Sequence, residues 1–366
     1  MSICLNMIVK DEAEVILRCL ASVFPLIDYW VIVDTGSADH TPKLIETFFK
    51  ERNIPGELHK RPWKDFSTNR NQALELAKEK GDYILFIDAD EQLLYKEGFS
   101  LPPLTLDSYL ILCDNDSILY YRRLLVKSTL PWRWEGVLHE TIEGKEPFTT
   151  DILPLVTNLV SAGGGARFKD KTTRQKDAAL LEKALKNDPE NKRALFYLAL
   201  TYMMLDQNES ALKMFKRRIH LDDHTEEVYL SLLQMAIIKE NIKKHPDVVF
   251  KAYSKAIKAR PNRKEAYFYM ARFLRRIHKL QAAYETAKKG MELPETKDLI
   301  GVESKVYHHQ MAFEFSVIAL GLGKAAEGKE VALSLLEKEN LPEETRLLIE
   351  QIWTPLKHQG KKEETT

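Results

Sequence analysis

The sequence predicts an α/β domain on a mostly parallel sheet, followed by an all-α domain of stacked helical hairpins. Three observations predict it. Short apolar runs alternate with helix-period segments over the first 145 residues, the pattern of parallel strands with crossover helices. From about Lys171 the pattern is helical throughout. That half also repeats itself at a constant offset of 72 residues, about twice a 34-residue helical-hairpin unit plus a small insertion.

The elements follow in order. Ile3 to Val9 is apolar and reads as a strand, and Lys10 to Phe24 carries Val15, Leu17, Leu20 and Val23 at helical spacing. Trp30 to Val33 is a second buried strand ending in Asp34-Thr-Gly-Ser37. Cap-type residues then introduce a helix from Pro42 to about Arg52, with proline suitably at its start. Gly56 to Lys60 is a weaker strand, and a helix over about Phe66 to Lys80 leads to Tyr83-Ile-Leu-Phe-Ile-Asp-Ala-Asp-Glu91. This stretch is a buried strand that ends on three acids. Side chains two apart in a strand share a face, so Asp88 and Asp90 are expected to converge. Converging carboxylates call for a cation, and a divalent ion holding a phosphate suits hard oxygen ligands. The plainer alternative is that both acids cap the next turn. Ser108 to Cys113 and Ile118 to Val126 read as further strands.

With 54 basic and 54 acidic residues the net charge is zero, which excludes a broad electrostatic footprint for nucleic acid. Three cysteines, Cys4, Cys19 and Cys113, have no metal-type spacing and fit a reducing compartment better than a disulfide framework. The apolar N-terminus runs into Lys10-Asp-Glu12 too soon for a signal peptide, and no transmembrane segment is expected. The reading is a cytoplasmic protein. The first βα connection lacks G-x-G-x-x-G and no G-x-x-x-x-G-K-[ST] loop occurs, which disfavours a dinucleotide fold and a phosphate loop.

Four stretches carry a resemblance: Leu5-Asn-Met-Ile-Val-Lys-Asp-Glu12, Val31-Ile-Val-Asp-Thr-Gly-Ser-Ala-Asp-His-Thr41, Phe66-Ser-Thr-Asn-Arg-Asn-Gln-Ala-Leu74 and Ile84-Leu-Phe-Ile-Asp-Ala-Asp-Glu91. In order and spacing they resemble the motifs of family 2 glycosyltransferases with the Rossmann-like GT-A fold. More narrowly, they resemble the bacterial subgroup whose catalytic domain precedes tetratricopeptide repeats. The resemblance implies a metal-dependent, inverting transfer of a sugar from a nucleotide-sugar, usually a UDP-sugar, to a hydroxyl or thiol. By resemblance, Asn6 at the first strand and Asp34 would contact uracil and ribose. Arg70 and Asn71 would lie near the nucleotide or its diphosphate, and Asp88 and Asp90 would bind Mn²⁺ or Mg²⁺. Standing alone, Asp34-Thr-Gly-Ser37 is a tight turn with a cap, and Arg70 and Asn71 are helix surface.

Trp132-Arg-Trp-Glu-Gly-Val-Leu-His-Glu140 is similar to a W-x-G-x-x-H-E element of the subgroup. The resemblance implies that His139 completes the metal site and that Glu140 or Glu135 deprotonates the acceptor. The Glu-Asp pair that carries the base in many inverting members is absent, so both glutamates are kept. A thiol acceptor would need the base less. Trp132 and Trp134 read either as a wall for a sugar ring or as core, and His139 alone would read as structural.

Ser161-Ala-Gly-Gly-Gly165, closing the stretch from Leu155, has the composition of a hinge or active-site loop. Beyond it, Pro189-Glu-Asn191 recurs as Pro261-Asn-Arg263, Ala194-Leu-Phe-Tyr-Leu-Ala199 as Ala266-Tyr-Phe-Tyr-Met-Ala271, Ala211 as Ala283 and Leu221 as Leu293. The intervening unit spans about Thr225 to Ala259, with its insertion near Asn241 to Pro246. Such hairpins must stack to bury their apolar faces. Expected domains are 1–165 and 171–355, with a disordered tail at 356–366. The repeats would hold a peptide, protein or glycan acceptor, form a homodimer, or simply support the first domain. Arg272, Arg275 and Arg276 read as solvated helix surface. The alternative function is a tetratricopeptide interaction protein with an inactive transferase domain. An aspartate-phosphate phosphatase also places D-x-D after a strand, but Gln92 stands where its pattern needs Thr or Val.

Overall fold

The computed structural model describes residues 1–160, 164–221 and 225–353. The expected tail at 356–366 and Ser161-Ala-Gly163 of the glycine-rich segment lie outside the described residues. By packing, the chain forms two compact units, 1–221 and 222–366. Strands give way to helices near residue 165, and the first helices after that point belong to the compact unit of the sheet.

In the first unit the strands are β1 (Ile3–Val9), β2 (Tyr29–Asp34), β3 (Gly56–Lys60), β4 (Tyr83–Phe86), β5 (Gln92–Tyr95), β6 (Ser108–Asn115), β7 (Ile118–Lys127), β8 (Arg133–Glu135), β9 (Thr141–Glu143) and β10 (Thr150–Leu159). The helices are α1 (Ile16–Val23), α2 (Thr41–Glu51), α3 (Phe66–Ala77), α4 (Ala166–Lys169), α5 (Thr173–Asn187), α6 (Lys192–Met204) and α7 (Asn208–Ile219). The sheet runs β3-β2-β1-β4-β7-β6-β10-β5. β3, β2, β1 and β4 are mutually parallel, β7 is antiparallel to β4 and β6, and β10 is parallel to β6. The antiparallel β8-β9 hairpin stands apart from the sheet.

Burial explains the assignments. β1 and β2 are apolar runs buried on both faces, as central parallel strands are. α1 buries Ile16, Cys19, Leu20 and Val23 along one stripe. α2 starts with a proline in its first turn and buries Ile45, Phe48 and Phe49. The Phe49 ring stacks on Trp30 with centroids 4.7 Å apart. Gly56 is required beneath that tryptophan, because a Cβ there would sit 2.3 Å from the indole.

Three expectations are corrected. The first helix begins at Ile16, not Lys10, because Asp11 takes a left-handed φ of 55° and the chain from 10 to 15 is a loop bonded to the next βα connection. Leu155 to Leu159 belong to β10 and are not a hinge. β5, β8, β9 and most of β10 went unread, since they are short or lack a clean apolar alternation.

At the edge strand β3, Glu57 accepts hydrogen bonds from Tyr29 Oη, Lys80 Nζ and His59 Nε2. These bonds, that of Lys80 first, push its pKa down to about 2 from the ordinary 4.5. A depressed carboxylate pKa contributes stability that is fully present above about 4.5 and lost as pH falls toward 2. Glu57→Gln is therefore expected to shallow the acid limb of the stability profile over that window and to match wild type at its foot. The side chain is about a third exposed, so the shift is small. Thermal unfolding of both proteins from pH 2 to 7 checks it.

The second unit holds α8 (Glu226–Asn241), α9 (Pro246–Ala259), α10 (Lys264–Arg276), α11 (Leu280–Glu292), α12 (Met311–Gly321), α13 (Ala325–Leu336) and α14 (Glu343–Trp353). α8 and α9 fall on the unit inferred between the two 72-residue copies, and their connection is the inferred insertion. Small residues set the helix approaches: a Cβ on Gly328 would lie 2.6 Å from the Ser316 carbonyl oxygen. Arg263 and Glu265 form a fully buried ion pair, joined by Asp298. Of the three arginines read as solvated surface, Arg276 is exposed and Arg272 and Arg275 are half-buried. Arg275 pairs with Glu314, Arg276 with Glu240, and Arg272 lies over the Phe268 and Tyr269 rings. No helix among the described residues is long and apolar enough to cross a membrane.

Candidate active site

The carboxyl ends of β1, β2 and β4 converge on one edge, the usual ligand position in an open α/β sheet. Two loops there are stitched together. Asp11 N donates to Ser37 Oγ, Ala38 N to Asp11 Oδ1 (2.6 Å), Glu12 N to Thr41 Oγ1 (2.8 Å) and Ala13 N to Asp39 Oδ2. Asp34 is buried, and its Oδ1 accepts from Ser37 N, three residues on, at 3.0 Å, a side-chain-to-backbone bond that aims the backbone of the second loop. Asn6 is buried too. Its amide donates to the carbonyls of Val31 and Ala73, tying β1 to β2 and α3.

β4 ends at Phe86, so the two-residue alternation expected to bring Asp88 and Asp90 together does not extend to them. A turn does, closed by Glu91 N donating to the Asp88 carbonyl. Asp88 meets two guanidiniums: Arg70 Nη2 donates to Oδ1 at 2.5 Å and Arg122 Nη2 to Oδ2 at 3.5 Å. Burial would raise its pKa, but the two arginines outweigh it and hold it down to about 2. Arg70 also donates Nε to Glu140 Oε1 at 2.5 Å. Arg122 donates Nη1 to the buried Glu91 at 2.6 Å, and Asn158 Nδ2 satisfies the other Glu91 oxygen at 2.8 Å. The result is one chain of alternating charge, Glu140–Arg70–Asp88–Arg122–Glu91.

Asp90 differs. Its side chain forms no ion pair among the described residues, and burial followed by the Asp88 charge raises its pKa. Glu12 lies close enough to feel Asp90 and Asp88, and burial first, then those charges, push it up to about 7. Residues 164–166 border both acids. Ala166 N donates to Glu12 at 3.3 Å, and a Cβ on Gly165 would meet Asp90 Oδ2 at 2.5 Å. The edge thus carries hard carboxylate donors. Among the described residues Asp90 has no ion pair of its own, although the Arg18 guanidinium reaches its carbonyl at 3.0 Å. Such oxygen donors suit Mg²⁺ or Mn²⁺. Asp88, Asp90 and His139 do not assemble into a three-ligand group, and no such group of His, Cys, Asp or Glu forms among the described residues.

His139 instead stacks on Tyr197 of α6, with centroids 4.0 Å apart and planes 17° from parallel. Packing around this exposed residue, ahead of the Arg193 charge, lowers its pKa below the ordinary 6.5. Glu135 is exposed at the end of β8. Asn71 grips that hairpin: its amide donates to the Trp134 carbonyl at 2.9 Å and accepts from Trp134 N at 2.8 Å. Asn71→Ala would leave two backbone groups unpaired and is expected to cost about 1–3 kcal/mol, measurable by chemical denaturation. Trp132 and Trp134 are both buried. Trp134 packs on Phe86 and lies 4.9 Å beneath the Arg70 guanidinium, and its indole N–H has no acceptor among the described residues.

The structure therefore brings Arg70, Asp88 and Glu140 into contact, with Asp90 beside them. It commits Asn6 and Asn71 to backbone, and it directs His139 to the helical region. Four residues of this edge were not singled out from sequence: Glu12, Glu91, Arg122 and Arg193. Glu91 was visible as the third acid after the strand, and Arg122 as a charge within an otherwise half-apolar strand. Nothing local marks Arg193.

Residues 4–97 match the family model described as Glycosyl transferase family 2, and residues 178–235 match that described as Tetratricopeptide repeat. The chain is 29% identical over 235 residues to the SPbeta prophage-derived glycosyltransferase SunS of Bacillus subtilis, covering 59% of this chain and 52% of that one. It is 45% identical over 91 residues to a TPR repeat-containing protein of Synechococcus elongatus, covering 25% of this chain and 21% of that one. The chain thus spans about half or less of the curated relatives it matches. Among solved structures, MamA aligns over 48% of this chain and 96% of its own at 18% identity with a TM-score of 0.39. The TPR protein YrrB aligns over 49% and 84% at 13% identity with a TM-score of 0.37.

Proposed function

We propose that this chain, a glycosyl transferase family 2 domain joined to C-terminal tetratricopeptide repeats, moves a sugar from a UDP-sugar to a hydroxyl or thiol of a peptide or protein acceptor, with inversion. The observation that carries the reading is the charge chain Glu140–Arg70–Asp88–Arg122–Glu91 at the carboxyl ends of the parallel strands. Two guanidiniums with a carboxylate beside them are the groups that neutralising a leaving diphosphate would need, and this supports the reading.

In the transfer, the acceptor oxygen or sulfur attacks the anomeric carbon, the bond from that carbon to the diphosphate breaks, and the diphosphate keeps the electron pair. Arg70 and Arg122 stabilise the charge as it develops. Asp88 and Asp90 are the residues that would hold a Mn²⁺ or Mg²⁺ ion, which would supply further Lewis-acid neutralisation of that charge. Glu140 takes the acceptor proton, and an incoming diphosphate competes for Arg70, releasing Glu140 for that task. Asp34 and the loop it aims receive the nucleoside.

Calorimetric titration of UDP in Mn²⁺, repeated in EDTA, tests the donor site. Metal-dependent binding, followed by hydrolysis of one member of a UDP-sugar panel, is expected. Absence of binding under both conditions overturns the reading and favours an interaction protein with an inactive transferase domain.

A further inference from the structure

The segment from Gly136 to Glu140 is a tight turn. Gly136 takes a φ of 103°, which glycine adopts freely, and His139 a φ of 53°. A left-handed non-glycine residue such as His139 persists only when surrounding structure over-determines it. The brace comes from α6. Arg193 Nε donates to the His139 carbonyl oxygen at 2.6 Å, Tyr197 stacks on the His139 ring, and the Arg193 guanidinium lies 5.0 Å from the Tyr197 ring. The helix is itself well anchored. Asn191 caps it by accepting from Ala194 N, and Leu195, Phe196, Leu198 and Ala199 are buried. The compact unit of the sheet includes this helix.

We propose that Arg193 and Tyr197, on the first tetratricopeptide-type hairpin, are positioning residues for the transfer site: they clamp the 136–140 turn and so place Glu140 against Arg70. The first hairpin is then a working part of the catalytic unit. This inference rests on the transferase reading for its functional half, while the clamp itself can be measured without any activity.

Two measurements separate the two. Hydrogen–deuterium exchange of the segment from 133 to 142 is compared between the full-length wild type and Arg193→Ala. Faster exchange confined to that segment supports the clamp, and unchanged exchange overturns it whatever the enzyme does. Turnover of the UDP-sugar that wild type accepts is then measured for Arg193→Ala, Tyr197→Leu and Arg193→Lys. A displacement of about 1 Å in a reacting group costs roughly 10²-fold, so the first two are expected to lose 10- to 100-fold in kcat. UDP affinity should stay within about twofold, because the arginines of the donor site are untouched. Arg193→Lys, which can still donate to the His139 carbonyl, should recover most of the loss. Unchanged kcat in Arg193→Ala, or a kcat loss matched by an equal loss of UDP affinity, overturns the positioning role. If wild type turns over no UDP-sugar while the exchange result holds, the clamp stands and the transferase reading fails.

Discussion

Arg70→Ala is expected to abolish turnover and to lower the stability of the first unit by about 3 kcal/mol, the lower end of what breaking a buried ion pair costs. The side chain is 9% exposed and serves two carboxylates, one of which, Glu140, is equally enclosed. Its loss leaves Asp88 with only the longer contact from Arg122, and it leaves Glu140 without a cation. At roughly 2–4 °C per kcal/mol for a unit of this size, the unfolding midpoint should fall by about 6–12 °C. Glu140→Gln added to Arg70→Ala should recover part of that drop, because it removes the stranded charge, and this coupling distinguishes a charge pair from simple packing. Arg70→Lys should not restore turnover, since one ammonium cannot reproduce a planar fork gripping two carboxylates. A midpoint within 2 °C of wild type in Arg70→Ala would refute the account of the site's electrostatics. Calorimetric unfolding and UDP-sugar hydrolysis on the same preparations provide both readouts.

Asp90→Asn is expected to behave in the opposite way on stability. Asp90 is half-buried, has no ion pair among the described residues and is repelled by Asp88. Removing its charge relieves that repulsion, so the midpoint should hold or rise. Function should suffer: metal-dependent UDP binding is expected to weaken, since one of the two carboxylates that would hold the ion loses its charge. Such a trade, stability gained and activity lost, is the signature of a residue kept for its chemistry. Titrations with Mn²⁺ and with EDTA check the binding. Equal affinity in Asp90→Asn and wild type would remove Asp90 from the donor site.

Much of this was legible along the chain. The apolar runs of β1, β2 and β4, the capped helices between them and the 72-residue recurrence all depend on local periodicity, and periodicity survives in a one-dimensional string. The acids after β4 could be marked for the same reason, since a buried strand seldom ends on three carboxylates without a use. Less legible were the short strands β8 and β9, where three residues offer too little pattern to read.

The order of elements, the repeat and the edge of the sheet where the polar residues gather can all be read along the chain. The partners of those residues follow from three-dimensional packing. Asn71 and Trp134 are 63 positions apart, Arg70 and Glu140 are 70 apart, and Arg193 reaches His139 across 54. Whether Asp88 meets a second acid or two guanidiniums depends on how α3 and β7 pack against β4. The tertiary packing ties the amides of Asn6 and Asn71 to backbone groups, and it joins the His139 turn to a helix of the repeats. Spacing along a chain states which face a side chain shares with its near neighbours, and only packing states which distant charge it can reach.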